Sequence, residues 1–325
     1  MKLSDAIGLL CDATMAEGRS VRTVEGYRRN LGYLVLFLGD VEIEAISIAE
    51  LRKYAAALRS KQERYVDNPY AATQPGGLSE FSIASYIRSV KRLFKWLTDE
   101  GMLEANPAQR LRVQVPTRRN PKAIDVVDFG RLLEATAGDD VNQVRDRAIL
   151  FVLGDTACRA GGLCGLRIDD IDLKGRAARL TEKGKKTRIV PFSIWTRDAV
   201  ARWLAVRPAC DDDWLFVTMG KRSYGEGLQP DGLKEILRRL KKRSGVTGRV
   251  NPHSIRHGFA REWIMNGGDL ATLSRILGHH DPAVTARYYA VFSDVELGIF
   301  HERYSFVARL AAVSECGDTI DNNEG

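Results

Sequence analysis

The sequence predicts a mainly helical α+β protein of two domains, with one small antiparallel sheet. Three observations carry this reading. Apolar residues recur at steps of three and four through most of both halves. A basic stretch with three prolines, Ala105 to Ile124, keeps no period. Short β-branched runs are confined to the region between Ile168 and Phe192. A chain of 325 residues, 44% of them hydrophobic, supplies enough apolar surface for two cores.

The opening segment LSDAIGLLCDATMAEG gives the first helix. In SVRTVEGYRRNLGYLVLFLGD, Val24, Tyr27, Leu31, Leu34 and Leu38 mark one face of a second, with Ser20 placed to cap its start. A third opens at SIAE, where Ser47 and Glu50 stand at capping-box spacing. FSIASYIRSVKRLFKWLTDEG predicts a fourth, burying Ile83, Ile87, Val90, Phe94 and Leu97 and leaving Arg88, Lys91, Arg92 and Lys95 largely on other faces. Asp67 to Gly77 reads as a loop. Residues 1–115 therefore form a helical domain, and 116–124 the linker.

Two helices follow, around DVVDFGRLLEAT and NQVRDRAILFVLGDT. IDDIDL, RAARLTE and KTRIVPF then read as strands, with EKGKK as a hairpin turn. Helical patterns resume at Ser193 and run to about Leu310. The second domain is expected over residues 125–292. A C-terminal helix and an acidic, disordered tail, ECGDTIDNNEG, fill 293–325.

The formal net charge of +7 is unevenly placed: +2 over residues 1–115, +9 over 116–310 and −4 over the last fifteen. A basic second half fits a polyanion partner without proving one. The five cysteines, Cys11, Cys158, Cys164, Cys210 and Cys316, include no CxxC pair, so reduced thiols are expected rather than a disulfide scaffold or a zinc knuckle. No run of about 18 apolar residues predicts a membrane span, and the acids within the N-terminal segment argue against a signal peptide, so the expected location is the cytoplasm.

Five pieces of the second half carry side chains suited to a phosphate site: Arg159 in DTACRAGGL, Lys183 in TEKGKKTR, His253 and Arg256 in NPHSIRH, His279 in LGHH, and Tyr288 in ARYYA. Each alone has a plain structural explanation, such as an arginine at a helix end or a solvated lysine in a turn. Their order and spacing together are more specific. Lys183 follows Arg159 by 24 residues on a predicted turn, PHxxRH and LGH come next, and Tyr288 lies nine residues past His279. This set resembles the tyrosine recombinase family of lambda-integrase type, over residues from about 120 to 290. The helical N-terminal half matches the family's core-binding domain in character.

The resemblance implies a C-shaped clamp on duplex DNA and a set of roles. Tyr288 is the nucleophile that forms a 3′-phosphotyrosyl ester. Arg159 and Arg256 fork onto the phosphoryl oxygens, and His279 hydrogen-bonds the phosphate. His253 is the candidate base for a hydroxyl whose pKa of about 10 leaves it almost wholly protonated at neutral pH. Lys183 is the acid for the leaving 5′ oxygen. The ester keeps the energy of the cut bond, so no ATP, metal or other cofactor is expected, and the chain has no GxxxxGK loop. His279, His280 and Asp281 are not read as metal ligands, because no further cluster completes a sphere.

The chain departs from the family at Gly162, where an acid usually follows the first arginine by three positions, and at Thr156-Ala157-Cys158, where TGL or TGM is commoner. Tyr289 directly follows Tyr288. Neighbours on a helix point about 100° apart, so one of the pair faces the phosphate, and the nine-residue step selects Tyr288.

Arg118, Arg119 and Lys122 of the linker, Lys241 and Lys242 of KEILRRLKKR, and Arg88, Lys91, Arg92 and Lys95 are the candidate contacts to the DNA backbone. The partners implied are double-stranded DNA with specific sites, three further copies of the chain in a homo-tetramer, and accessory proteins, in association with the nucleoid. Leu297, Phe300, Tyr304 and Val307 form an apolar stripe expected to dock on a neighbouring copy. A relaxing type IB topoisomerase and a non-catalytic DNA-binding protein remain alternatives at this point.

Overall fold

The computed structural model describes residues 1–64, 72–113, 123–182, 186–210, 212–220, 223–279, 281–289, 294–305 and 307. Two compact units divide between Arg118 and Arg119. No described helix is long and apolar enough to cross a membrane.

The first unit consists of α1 (Leu3–Ala16), α2 (Val21–Leu38), α3 (Ile48–Ser60), the two-residue strands β1 (Glu63–Arg64) and β2 (Gln74–Pro75), and α4 (Glu80–Asp99). Its core is formed by the faces read from the periodicity, with Leu31, Leu34, Ile87, Val90, Phe94 and Leu97 all buried. Removing each such side chain from water contributes roughly 1.5–3 kcal/mol. The Ser47–Glu50 capping box is present: the Glu50 carboxylate accepts from the Ser47 backbone N–H at 2.6 Å. Ser20 stands at the start of α2, but its hydroxyl pairs with that of Thr23 at 2.9 Å instead of receiving a backbone N–H. The segment read as loop contributes β2, which pairs antiparallel with β1; a two-residue strand is too short to leave a period in the sequence.

The second unit begins with α5 (Val126–Glu134), α6 (Val141–Thr156) and the short α7 (Ala160–Cys164). Its antiparallel sheet has the order β3 (Ile171–Asp172), β4 (Ala177–Glu182), β5 (Lys186–Pro191). In the β4–β5 register Ala178 faces Val190 and Leu180 faces Arg188, so all four side chains share one face of the sheet. Ala178, Leu180 and Val190 are buried there, while Ile189 on the opposite face is exposed.

Then come α8 (Ile194–Val206), α9 (Pro230–Ser244), α10 (Pro252–Met265), α11 (Leu270–Leu277), α12 (Pro282–Tyr289) and α13 (Asp294–Tyr304). The helical pattern expected throughout from Ser193 is interrupted between α8 and α9. Pro208, three consecutive aspartates and several glycines oppose a helix there. The segment instead buries Leu215, Phe216 and Val217 beside Trp203, whose indole N–H donates to the Leu215 carbonyl at 2.7 Å.

In the single chain α13 lies against its own α10. Phe300 packs on the cluster of Ala260, Ile264 and Leu273, Arg261 pairs with Glu296, and Arg303 donates to the Met265 carbonyl at 2.8 Å. Leu297 and Val307 of the predicted stripe are exposed. The acidic tail lies outside the described residues.

Candidate active site

Four separated segments meet at the end of α6. That helix closes on Ala157, a non-glycine residue at φ 48°, in the left-handed region. The turn buries Cys158 and brings out Arg159 as the first residue before α7. Helix α10 starts on a reciprocal cap, in which the Asn251 side chain accepts from the Ser254 N–H at 2.9 Å and Ser254 Oγ accepts from the Asn251 N–H at 2.9 Å. Pro252 suits the first turn because its missing N–H has no partner to lose there. With α10 so fixed, His253, Arg256 and His257 sit at i, i+3 and i+4 on adjoining faces.

Arg256 is 3% exposed, and its fork ties the segments together. One terminal nitrogen donates to the Ala157 carbonyl at 2.8 Å. The other donates to the Leu277 carbonyl at 2.6 Å and lies 3.0 Å from His279 Nε2. Burial, and then the charge of Arg159, push the Arg256 guanidinium down to about 10, so it is still a cation at neutral pH.

A guanidinium only donates, so His279 Nε2 accepts and the proton sits on Nδ1, which lies 2.8 Å from Thr285 Oγ1. His279 is thus a neutral imidazole in a fixed tautomer. Burial, then Arg256 and Arg159, push it down to about 4. His253 is lowered as well, by burial and by Arg256, Arg159 and Arg249, and its ring stacks on His257 with centroids 6.4 Å apart. Lys183 lies outside the described residues. The Tyr288 backbone belongs to α12, and its side chain lies outside what is described.

Two features of the site escaped the sequence reading. Arg188 on β5 points to the buried face of the sheet, and its Nε donates to the Ile276 carbonyl at 2.9 Å, one turn before His279. Gly278, at φ 66°, fits because a Cβ would come within 2.7 Å of that guanidinium. Burial and Arg188 both lower Arg159. The second feature is the role of Tyr289, which the sequence reading set aside from the phosphate: it is buried, and its hydroxyl lies 2.8 Å from His257 Nδ1 in the field of Arg256. Three guanidiniums, drawn together beside imidazoles that burial and then their own charge keep neutral, form a receptor for an anion with oxygens on several sides. Among the described residues no group of three His, Cys, Asp or Glu could hold a metal ion.

This geometry fits a phosphodiester, and comparison with known proteins decides the family. The model for the Phage integrase family matches residues 123–294, and that for the N-terminal SAM-like domain of phage integrases matches 13–101. The chain belongs to this family. It is a tyrosine recombinase, an enzyme that breaks and rejoins DNA at specific sites through a tyrosine. It is similar to the tyrosine recombinase XerC of Alcanivorax borkumensis, 31% identical over 83% of each chain. Among solved structures it resembles the XerA recombinase, with 26% identity, 93% of this chain and 98% of that one covered, and a TM-score of 0.51. It also shares its fold with a lambda integrase solved as a tetramer on a Holliday junction, at 15% identity, 90% and 80% coverage and a TM-score of 0.68.

The recombinase's expected DNA contacts are unequal. Arg88 on α4 is exposed. Lys91 donates to the carbonyls of Gln109 and Leu111, Arg92 pairs with Glu17 at 3.3 Å, and Lys95 pairs with Asp99 at 2.9 Å. Lys241 donates to the Thr247 carbonyl, and Lys242 is exposed. Arg118, Arg119 and Lys122 lie outside the described residues. A groove of about 450 Å³ between α3 and residues 110–112 is lined by Arg52, Arg59, Arg110 and Arg112, a cation cluster that the sequence reading passed over. Its signal was the repeated arginine in QRLR together with the i, i+7 pair on α3.

Proposed function

We propose that this recombinase cuts and joins paired specific DNA sites with Tyr288 as nucleophile, acting as a homo-tetramer that holds two sites in synapse. The single observation carrying this reading is the convergence of Arg159, His253, Arg256 and His279 from separate segments into one pocket whose fixed charges are cationic. Arg159 and Arg256 neutralise the equatorial oxygens as charge gathers there in the transition state. His253, held neutral at pH 7, is in the right form to take the proton of the attacking phenol. His279 now commits its Nε2 lone pair to Arg256. An incoming phosphate would draw the guanidinium toward itself and favour the doubly protonated ring, which donates. Lys183 supplies the proton for the leaving 5′ oxygen.

Backbone phosphates would be held by Arg88, by Lys241 and Lys242, by the linker cations Arg118, Arg119 and Lys122, and by the groove of Arg52 and Arg110. Lys91, Arg92 and Lys95 contribute after exchanging their present partners. The tetramer reading is supported by the lambda integrase tetramer of the same fold. Accessory proteins and a place on the nucleoid in the cytoplasm belong to the same proposal.

The test incubates wild type, Tyr288→Phe and Tyr289→Phe with sheared genomic DNA in EDTA, quenches with detergent and sequences the covalently held DNA. Adducts at one or a few paired sequences, lost in Tyr288→Phe and kept in Tyr289→Phe, are expected. Loss in Tyr289→Phe alone would move the nucleophile, scattered adducts would remove the specific site, and absence of adducts from wild type would overturn the reading.

A further inference from the structure

The second tyrosine has no part in the chemistry above, yet it is firmly anchored. Tyr289 is 4% exposed and packs with Ala157, Ala260 and Leu277 at the junction of α10, α11 and α12. Its hydroxyl meets His257 Nδ1 at 2.8 Å in the field of Arg256, and the two rings are tilted with centroids 5.4 Å apart. The positive charge of Arg256 favours the lone pairs of that oxygen, so the hydroxyl proton is available for the imidazole.

His257 is in the form that accepts it. Burial, then His253 and Arg256, push the ring down to about 4, which leaves it neutral at physiological pH. One turn earlier on the same helix, buried Thr285 bonds His279 Nδ1 at 2.8 Å. Residues at i and i+4 share a face, so α12 is pinned at two points, each a hydroxyl against an imidazole that neighbours Arg256.

We propose that Tyr289 is a positioning residue: bonded to His257, its hydroxyl latches α12 to α10 and sets the rotation at which the adjoining residue 288 meets the phosphate site. This rests on the reading of Tyr288 as nucleophile, and the latch itself is testable without it. Rotation matters because one residue on a helix is worth about 100°; a loosened α12 need not unfold to lose its aim.

Two measurements on the full chain test this: hydrogen exchange of the amides of residues 285–289, and the rate of covalent DNA adduct formation with the modified tyrosine mapped by mass spectrometry. Tyr289→Phe keeps the ring and deletes the hydroxyl. It should lose exchange protection in α12 by about tenfold, the size of one net hydrogen bond, and slow adduct formation by a similar factor, with the adduct still on Tyr288. His257→Ala should match it, and the double variant should be no worse than either single one. His257→Gln, which retains a polar group of similar reach, should recover most of the rate.

Unchanged α12 protection in Tyr289→Phe would overturn the latch, as would losses that add in the double variant. An adduct mapped to Tyr289 would overturn both the positioning role and the assignment of Tyr288. If wild type forms no adduct, the recombination chemistry proposed above fails, while the exchange measurement still decides the latch.

Discussion

The cations of α4 and those around Arg256 look alike in the sequence and differ in every physical respect. On α4, Lys91 serves two backbone carbonyls, and Arg92 and Lys95 pair with Glu17 and Asp99 near solvent. Such exposed ion pairs are worth about 0–1 kcal/mol and are readily exchanged. At the end of α6, Arg159, Arg188 and Arg256 are drawn together with partial burial, each lowered first by desolvation. Arg256 is further lowered by both of the others. Bringing like charges out of water is unfavourable, and the fold sustains it with carbonyls from Ala157, Ile276 and Leu277. A site of this kind is relieved by an anion, whereas the α4 surface is already at rest. The number of basic residues is therefore a poor guide to where phosphate binds; desolvation among like charges is a better one.

The sharpest way to break the contrast is to replace Arg256. Arg256→Lys keeps a charge but cannot reach Ala157, Leu277 and His279 at once. Loss of one preorganised donor costs a factor of about 10²–10³ at comparable sites, so adduct formation should fall at least that far. Lys95→Ala should leave cleavage within about twofold. Equal losses from the two would remove the distinction.

Binding gives the next largest effect. Reversing Arg110 and Arg112 to glutamate in the groove should weaken DNA affinity by more than tenfold at moderate salt. The slope of log K against log salt should fall by about 1 for each phosphate that is no longer neutralised. Lys95→Glu should change the slope by less, because that lysine already faces Asp99. Fluorescence anisotropy across a salt series reads both.

Most of the helices were legible because their buried faces repeat every three or four residues, as Ile83, Ile87, Val90 and Phe94 do. The β4–β5 hairpin was legible from its alternation and turn. The motif residues Arg159, His253, Arg256 and His279 were found from order and spacing, and their meeting is a tertiary fact that no window of sequence contains. Arg188 could have been found. In KTRIVPF it is in phase with Val190 and Phe192, so the alternation alone puts a guanidinium on the buried side of a strand, and such a placement calls for a reason. His257–Tyr289 could not, because 32 residues separate the partners and neither side chain looks unusual where it stands.

Acid should separate the two regions next. His257 and His279 have folded pKa values of about 4, below the ordinary 6.5 of a histidine, so between these values the unfolded chain binds protons that the folded pocket does not. Stability contributed by the neutral rings is complete above about pH 6.5 and declines as pH falls toward 4. The second unit should lose thermal stability over that window, and His279→Gln should flatten part of the decline. A profile unchanged by the substitution would mean that the ring titrates near its ordinary value and that the cation field on it is weak.

The smallest effect tests whether the pocket is held at some cost to the backbone. Ala157 sits at φ 48°, where a Cβ crowds the chain, and its carbonyl is the acceptor for Arg256. Glycine adopts that conformation freely and offers the same carbonyl, so Ala157→Gly removes the strain and keeps the bond. Against it stands the greater freedom of glycine in the unfolded chain, and alanine's methyl is fully buried here. The left-handed penalty of about 1–2 kcal/mol is offset by about 0.4–1 kcal/mol from glycine's freedom and about 0.8 kcal/mol from the buried methyl, so the melting temperature of the second unit should stay within roughly 2 °C of wild type. A larger fall in melting temperature would mean that the methyl's packing outweighs the strain. In that case the turn that delivers Arg159 is held by its side chain, and the cost of the pocket lies in its charges alone.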